Sequence, residues 1–292
     1  MQNVIIFGAG NAGLAAYENI QGQYLPVAFC DNDESKVGTN IHSLPVLSPN
    51  QLSSFTFDLV LIASEYFEQI KQQLEVVQGI AASKIKVLSA SQIKGFHIGD
   101  NQQSRERSEN VLFALCQVFR ELSLKYHIDA GTLLGIYRDD SLIPWDDDLD
   151  FAIPSEMVDV VRQNQQVILG ALNANTQVEW GLTEHVSTKD FGLVKRGDIR
   201  SFKLEAKSNH AGLPLVDLFV KYLDETTMDY VISSRGFSMP SEHMQSVVSH
   251  DFKGQSLMFP FNVDGYLTKH YGDWRTPKPE WNLSELKNAT VF

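Results

Sequence analysis

Residues 3–7 (NVIIF) form a short apolar, β-branched run that meets Gly8-Ala9-Gly10-Asn11-Ala12-Gly13 at once. Apolar side chains then recur at helical spacing from Leu14 to Ile20. A strand that turns through glycines into a helix commits the start of the chain to a βαβ unit. The glycines suit a tight turn and close backbone approach to a pyrophosphate, beside a helix N-terminus whose free N–H groups favour anions. Pro26 to Cys30 reads as a second strand, and Asp31 closes it where an acidic residue would accept from a ribose hydroxyl. Gly8, Gly10, Asn11, Gly13 and Asp31 are therefore the candidate nucleotide-binding residues of this part. The same glycines would also serve helix–strand packing alone, and both readings stand. No Tyr–Lys pair or other hydride-transfer apparatus follows, which weighs against redox chemistry.

Further apolar segments at 44–47, 57–63 and 85–88 alternate with a helical stretch at 65–77. The run FDLVLIA is continuous, as for a strand buried on both faces of a parallel sheet. This predicts a small doubly wound α/β domain over residues 1–97. The polar stretch 94–107 carries two glycines and no period, so a second domain is expected over 98–292. It opens on an amphipathic helix at about 106–125, marked by Val111, Leu112, Leu115, Val118, Phe119, Leu122 and Leu124. Strands near 149–153, 201–207 and 214–221 and helices near 155–174 and 262–271 make it mixed α+β.

A net charge of −12 over 292 residues argues against a nucleic-acid partner and against electrostatic attachment to anionic lipid. No run approaches the ~18 apolar residues of a membrane span. The N-terminus lacks the charged region and cleavage site of a signal peptide. Cys30 and Cys116 lie far apart in apolar runs and read as reduced, buried thiols. The expected location is the cytoplasm.

The stretch most informative about chemistry runs from Asp129-Ala130-Gly131-Thr132 through Arg138 to Pro144-Trp145-Asp146-Asp147-Asp148-Leu149-Asp150-Phe151. Residues two apart on a strand share a face, so Asp148 and Asp150 aim two carboxylates at one point, with Asp146 adjoining. Converging carboxylates repel unless a hard cation sits between them, and Mg²⁺ or Mn²⁺ suits oxygen ligands and phosphate. Asp217 stands alone in the apolar segment LPLVDLFV and needs a partner there, for which a metal would serve. Asp129, two residues before Gly131, is read as a residue that caps or braces the Gly-Thr turn. His127, His185 and His210 lack the i, i+4 spacing of a helical zinc site and are read as ordinary polar residues.

A Gly-Thr turn, an Asp-Leu-Asp on a strand and a lone later Asp together are similar to the layout of nucleotidyltransferase-fold enzymes. The segment GTLLGIYRDDSLIPWDDDLDFAI (131–153) closely resembles the signature of the LicD family of phosphotransferases. The later YLTKHYGDWRTPKP (266–279) resembles that family's closing Tyr-Gly-Asp motif, in which Tyr271, Trp274 and Pro277 are read as packing and turn residues. The likeness spans roughly residues 107–280. It implies transfer of a phospho-alcohol group (phosphocholine, glycerol phosphate or ribitol phosphate) from a CDP-activated donor to a sugar hydroxyl of a cell-surface glycan. Asp148, Asp150 and Asp217 would hold the metal, with Asp146 alongside; Gly131 and Thr132 would cradle donor phosphate, and Arg138 would neutralise its charge. The rivals are a nucleotidyltransferase with an NTP donor and a nucleotide-sensing regulator with an inactive transferase half. With CDND (30–33), VGTNIHSLPVLSP (37–49) and FDLVLIAS (57–64), the front domain resembles the Rossmann-like modules of bacterial sugar-modifying proteins, which implies either an accessory site for a dinucleotide or nucleotide-sugar or a structural or regulatory module.

Overall fold

The computed structural model describes all residues except 208–211, 280 and 282, so His210 lies outside the described residues. Contacts divide the chain into unit 1, Met1–Gly95 with Lys278–Ser284, and unit 2, Phe96–Pro277 with Glu285–Phe292. The return of Lys278–Ser284 to unit 1 rests on Leu283, which packs against that unit's core.

Unit 1 contains β1 (Asn3–Phe7), α1 (Asn11–Asn19), β2 (Leu25–Cys30), β3 (Asn40–Ile41), β4 (Leu44–Leu47), β5 (Leu59–Ile62), α2 (Phe67–Gln72) and β6 (Ile85–Val87). The sheet order is β3-β4-β2-β1-β5-β6, and all pairings are parallel except β3 with β4. Alternation explains the continuous apolar strands. Ile5, Phe7, Val60 and Ile62 pack in one core, and Val4, Ile6, Leu61 and Ala63 pack in the other on the opposite face. The helix expected over 65–77 is α2 followed by a π-helical turn, Gln73–Val77. At Gly13 a Cβ would collide with the Gly8 carbonyl, so α1 seats against β1 only with glycine there.

Unit 2 begins with α3 (Gln102–Glu121), which starts earlier than its apolar pattern because the Asn101 side chain caps it, accepting from the Ser104 N–H at 2.9 Å. There follow β7 (His127–Ile128), α4 (Ala130–Asp139), β8 (Asp148–Pro154), α5 (Val158–Gln163), α6 (Gln165–Thr176), β9 (Trp180–Val186), β10 (Ile199–Ala206) and β11 (Leu215–Leu223). The chain continues with β12 (Thr227–Ile232), β13 (Arg235–Pro240), α7 (Glu242–Gln245), β14 (Val248–Phe252), β15 (Gln255–Phe259), α8 (Val263–Tyr271) and β16 (Ala289–Val291). An 8-stranded sheet runs β16-β13-β12-β11-β10-β9, with β8 on β11 and β7 on β8. Strand β11 is the hinge of the arrangement: β8 pairs with it in parallel over Leu215–Lys221, and β12 takes the same strand at Tyr222 and Leu223. The chain is thus α/β, a parallel Rossmann-like sheet followed by a mixed unit. Among the described residues no helix is long and apolar enough to cross a membrane. Both cysteines are free and buried, and burial raises the thiols to about 12 at Cys30 and about 11 at Cys116.

Candidate active site

Strand pairing assembles the carboxylates. In the parallel register of β8 and β11, Asp150 faces Asp217 and Asp148 faces Leu215. Oxygens of Asp148, Asp150 and Asp217 all lie within 4.8 Å of one another, with Asp150 buried and the other two half-buried. Asp146, Asp147 and Asp148 form a second such group. Asp147 was not singled out in the sequence, because a run of three aspartates does not say which side chains turn inward. Three converging carboxylates are a hard, all-oxygen donor set, which fits Mg²⁺ or Mn²⁺ and not a soft metal.

The Gly-Thr segment forms the first turn of α4 rather than a free turn, and it already holds a carboxylate. The Gly131 N–H donates to Asp150 Oδ2 at 2.9 Å and the Thr132 N–H to the same oxygen at 3.4 Å. In return the Asp150 N–H donates to Thr132 Oγ1 at 2.8 Å. A helix N-terminus favours negative charge, so this anchor stabilises the ionised Asp150 as well as aiming it. A Cβ at Gly131 would strike the Asp146 carboxylate, so a larger residue there must push that side chain aside. Arg138, at the other end of α4, is engaged by Asp139 (Nε–Oδ1 3.0 Å, Nη2–Oδ2 2.6 Å) and donates through Nη1 to the Trp274 carbonyl at 3.2 Å.

Behind the cluster lies a buried polar network. Asp129 N–H donates to the Asp150 carbonyl at 2.9 Å, and the Asp129 side chain makes no helix cap. One Asp129 oxygen pairs with Lys221 Nζ at 2.7 Å, and the other accepts from the Tyr266 hydroxyl at 2.5 Å. The rings of His127 and His243 meet Tyr266 edge-on, and Tyr230 OH lies 3.3 Å from His270 Nδ1. Burial opposes ionisation of Asp129, but the Lys221 ammonium, His127 and the Tyr266 hydroxyl together outweigh it and hold the carboxyl below the usual range. Burial likewise pulls Lys221 down against the attraction of Asp129. Tyr271, read in the sequence as a packing residue, also borders the cluster: burial first, then the charges of Asp150, Asp129 and Asp146, push its phenol well up. His185 is half-buried on β9.

Burial pulls His127 and His270 down to about 4. An unfolded histidine titrates near 6.5, so the folded values lie below the unfolded ones. Their contribution to stability is complete above pH 6.5 and is lost as pH falls towards 4. Unit 2 is expected to lose stability across that window, taking up as many as two protons on unfolding. His270→Gln should remove about one proton from the slope, measured by amide exchange in β8 and β11. A flat pH dependence would contradict burial of the neutral imidazoles.

In unit 1 the Asp31 carboxylate faces the glycine-rich turn. Asp31 accepts from the Ala9 N–H at 2.7 Å and the Asp33 N–H at 2.9 Å, and it pairs with Lys36 at 3.1 Å. Burial works against it, and these backbone donors with Lys36 still lower its pKa. Gly8 and Gly13 close the turn against Ala63 and against each other. Gly10 stands before α1 and Asn11 opens it, exposed.

The candidate site is therefore a carboxylate set on adjacent parallel strands, one member of which is held by backbone N–H groups at the start of a neighbouring helix. Residues 123–262 match the family model described as "LicD/FKTN/FKRP, nucleotidyltransferase domain", and residues 1–86 match "C2185-like, N-terminal". Unit 2 thus contains a LicD-type domain over residues 123–262. A search of curated proteins returns no match. Among solved structures, UDP-D-quinovosamine 4-dehydrogenase from Vibrio fischeri is 27% identical over 30% of this chain and 75% of that one, with a TM-score of 0.23. The Rex-family repressor RSP with β-NAD⁺ and operator DNA is 17% identical over 41% and 60%, with a TM-score of 0.25. ANT(2")-Ia with adenylyl-2"-tobramycin is 16% identical over 55% and 70%, with a TM-score of 0.30. Likenesses at this level carry no argument about function.

Proposed function

We propose that unit 2 transfers a phospho-alcohol group (phosphocholine, glycerol phosphate or ribitol phosphate) from a CDP-activated donor to a sugar hydroxyl in the making of a cell-surface glycan, releasing CMP. The observation that carries this reading is the convergence of Asp148, Asp150 and Asp217 within 4.8 Å inside the LicD-type domain. In this reading the three carboxylates hold Mg²⁺ or Mn²⁺, which when bound neutralises phosphate oxygens and lowers the pKa of the attacking hydroxyl. The acceptor oxygen bonds to phosphorus in line with the departing CMP oxygen, and the hydroxyl proton passes to a carboxylate of the cluster. Asp217, opposite Asp150 on the paired strand, is assigned that proton as well as its share of the cation. Asp146 adds charge beside the set.

Gly131 and Thr132 act in this mechanism through Asp150, since their N–H groups already point at it. Arg138 is assigned to donor phosphate, a part it takes by exchanging one of its contacts with Asp139 or Trp274. Unit 1 is assigned an accessory dinucleotide or nucleotide-sugar, with the open start of α1 at Gly10 and Asn11 as the anion-facing end. The acceptor would be a cytoplasmic precursor of surface polysaccharide.

The test is calorimetric titration of the full chain with CDP-choline, CDP-glycerol, CDP-ribitol, CTP and NAD, each with Mg²⁺ and with EDTA. Magnesium-dependent binding of one CDP-alcohol, lost in Asp148→Asn, is the expected result and names the donor. Binding of CTP alone would transfer the reading to an NTP-using nucleotidyltransferase, and NAD alone to unit 1.

A further inference from the structure

Strand β11 carries a second charged residue on the same face as Asp217. Lys221 lies four positions along it and is fully buried, which is unusual for a lysine. Across the sheet, Phe219 faces Ala152 on β8, and Ala152 faces His127 on β7. Lys221 Nζ lies 5.6 Å from the centre of the Phe219 ring and 3.2 Å from that of Tyr230, and it meets Asp129 Oδ2 at 2.7 Å. Asp129 is where β7 gives way to α4. Its own N–H holds the Asp150 carbonyl, and two residues on, Gly131 holds the Asp150 carboxylate.

We propose that the Lys221–Asp129 ion pair, completed by the Tyr266 hydroxyl, is a positioning device for the cation site. It clamps the strand that carries Asp217 to the helix start that aims Asp150. This rests on reading the carboxylate cluster as a cation site. A buried ion pair does little for stability compared with well-packed apolar residues of the same volume. Its presence in a segment as apolar as LVDLFVKYL is accounted for by what it fixes: the relative position of two ligands that come from strands far apart in sequence. Like charges at Asp148, Asp150 and Asp217 push those strands apart when no cation is bound, and a buried ammonium on the same face opposes that push.

The full chain would be titrated calorimetrically with Mn²⁺ alone, with thermal melts in EDTA alongside. The wild type is expected to bind, and Asp148→Asn to abolish binding. The double variant Asp129→Asn/Lys221→Met removes both charges together and keeps an acceptor for Tyr266. It is expected to melt close to the wild type while its Mn²⁺ affinity falls about 10–100-fold. Wild-type affinity in the folded double variant would overturn the proposal and leave the cation reading in place. Absence of Mn²⁺ binding by the wild type would overturn the cation reading itself. Tyr266→Phe deletes only the hydroxyl and is expected to weaken Mn²⁺ binding several-fold with the fold kept. Should the double variant fail to fold, unchanged affinity in Tyr266→Phe would overturn the proposal.

Discussion

Asp148→Asn is expected to cut turnover of the CDP-alcohol donor on the order of 10³-fold while leaving the protein folded. The size follows from the several kcal/mol that metal-ion stabilisation of a phosphoryl transfer supplies, at roughly 1.4 kcal/mol per tenfold in rate. The fold is expected to survive because Asp148 is the half-buried first residue of β8 and asparagine preserves its shape. Replacing one of three converging carboxylates also relieves repulsion, so the metal-free melting temperature should equal or exceed that of the wild type. Loss of activity with unchanged or higher stability is the signature of a ligand, whereas loss of both would mark a structural residue. Turnover like that of the wild type would remove Asp148 from the site.

Lys221→Met alone is expected to destabilise unit 2 by about 3–5 kcal/mol, the cost of leaving a buried carboxylate without its partner. For a unit of this size that corresponds to a fall in Tm of roughly 6–20 °C. Asp129 cannot escape to water, since its side chain is only 4% exposed, and the methionine offers Tyr230 no charge to stack on. Adding Asp129→Asn should return most of the loss, because the neutral pair leaves no buried charge. A double-variant cycle by thermal denaturation measures this directly. Additive losses would mean that the two residues are not coupled and that the pair is not ionised in the fold.

How much of this was legible beforehand depended on the range of the information. The strand–glycine–helix opening of unit 1, its alternating elements and the shared face of Asp148 and Asp150 were all read correctly, since each is written in consecutive residues. Strands β9 and β12–β15 went unread. Their alternation is blurred by polar residues such as Thr183, Glu184 and His250, and the β12–β13 hairpin turns on Ser233-Ser234, with Ser233 at φ +51°, in place of an Asn-Gly signal. Lys221 left no trace at all, because a single lysine near the end of an apolar strand ordinarily reaches solvent.

The sequence by itself determined the local periods: which segments extend or coil, where glycine is needed, and that two aspartates share one side of β8. Only the tertiary structure decided what those residues meet. The β8–β11 register brings Asp217 opposite Asp150, the Gly131 and Thr132 N–H groups are given to Asp150, and Asp129 receives an ammonium from Lys221. The physical reason is that side-chain direction follows from neighbouring φ and ψ angles. Partnership follows instead from burying apolar faces that lie far apart along the chain, and no local period carries that information.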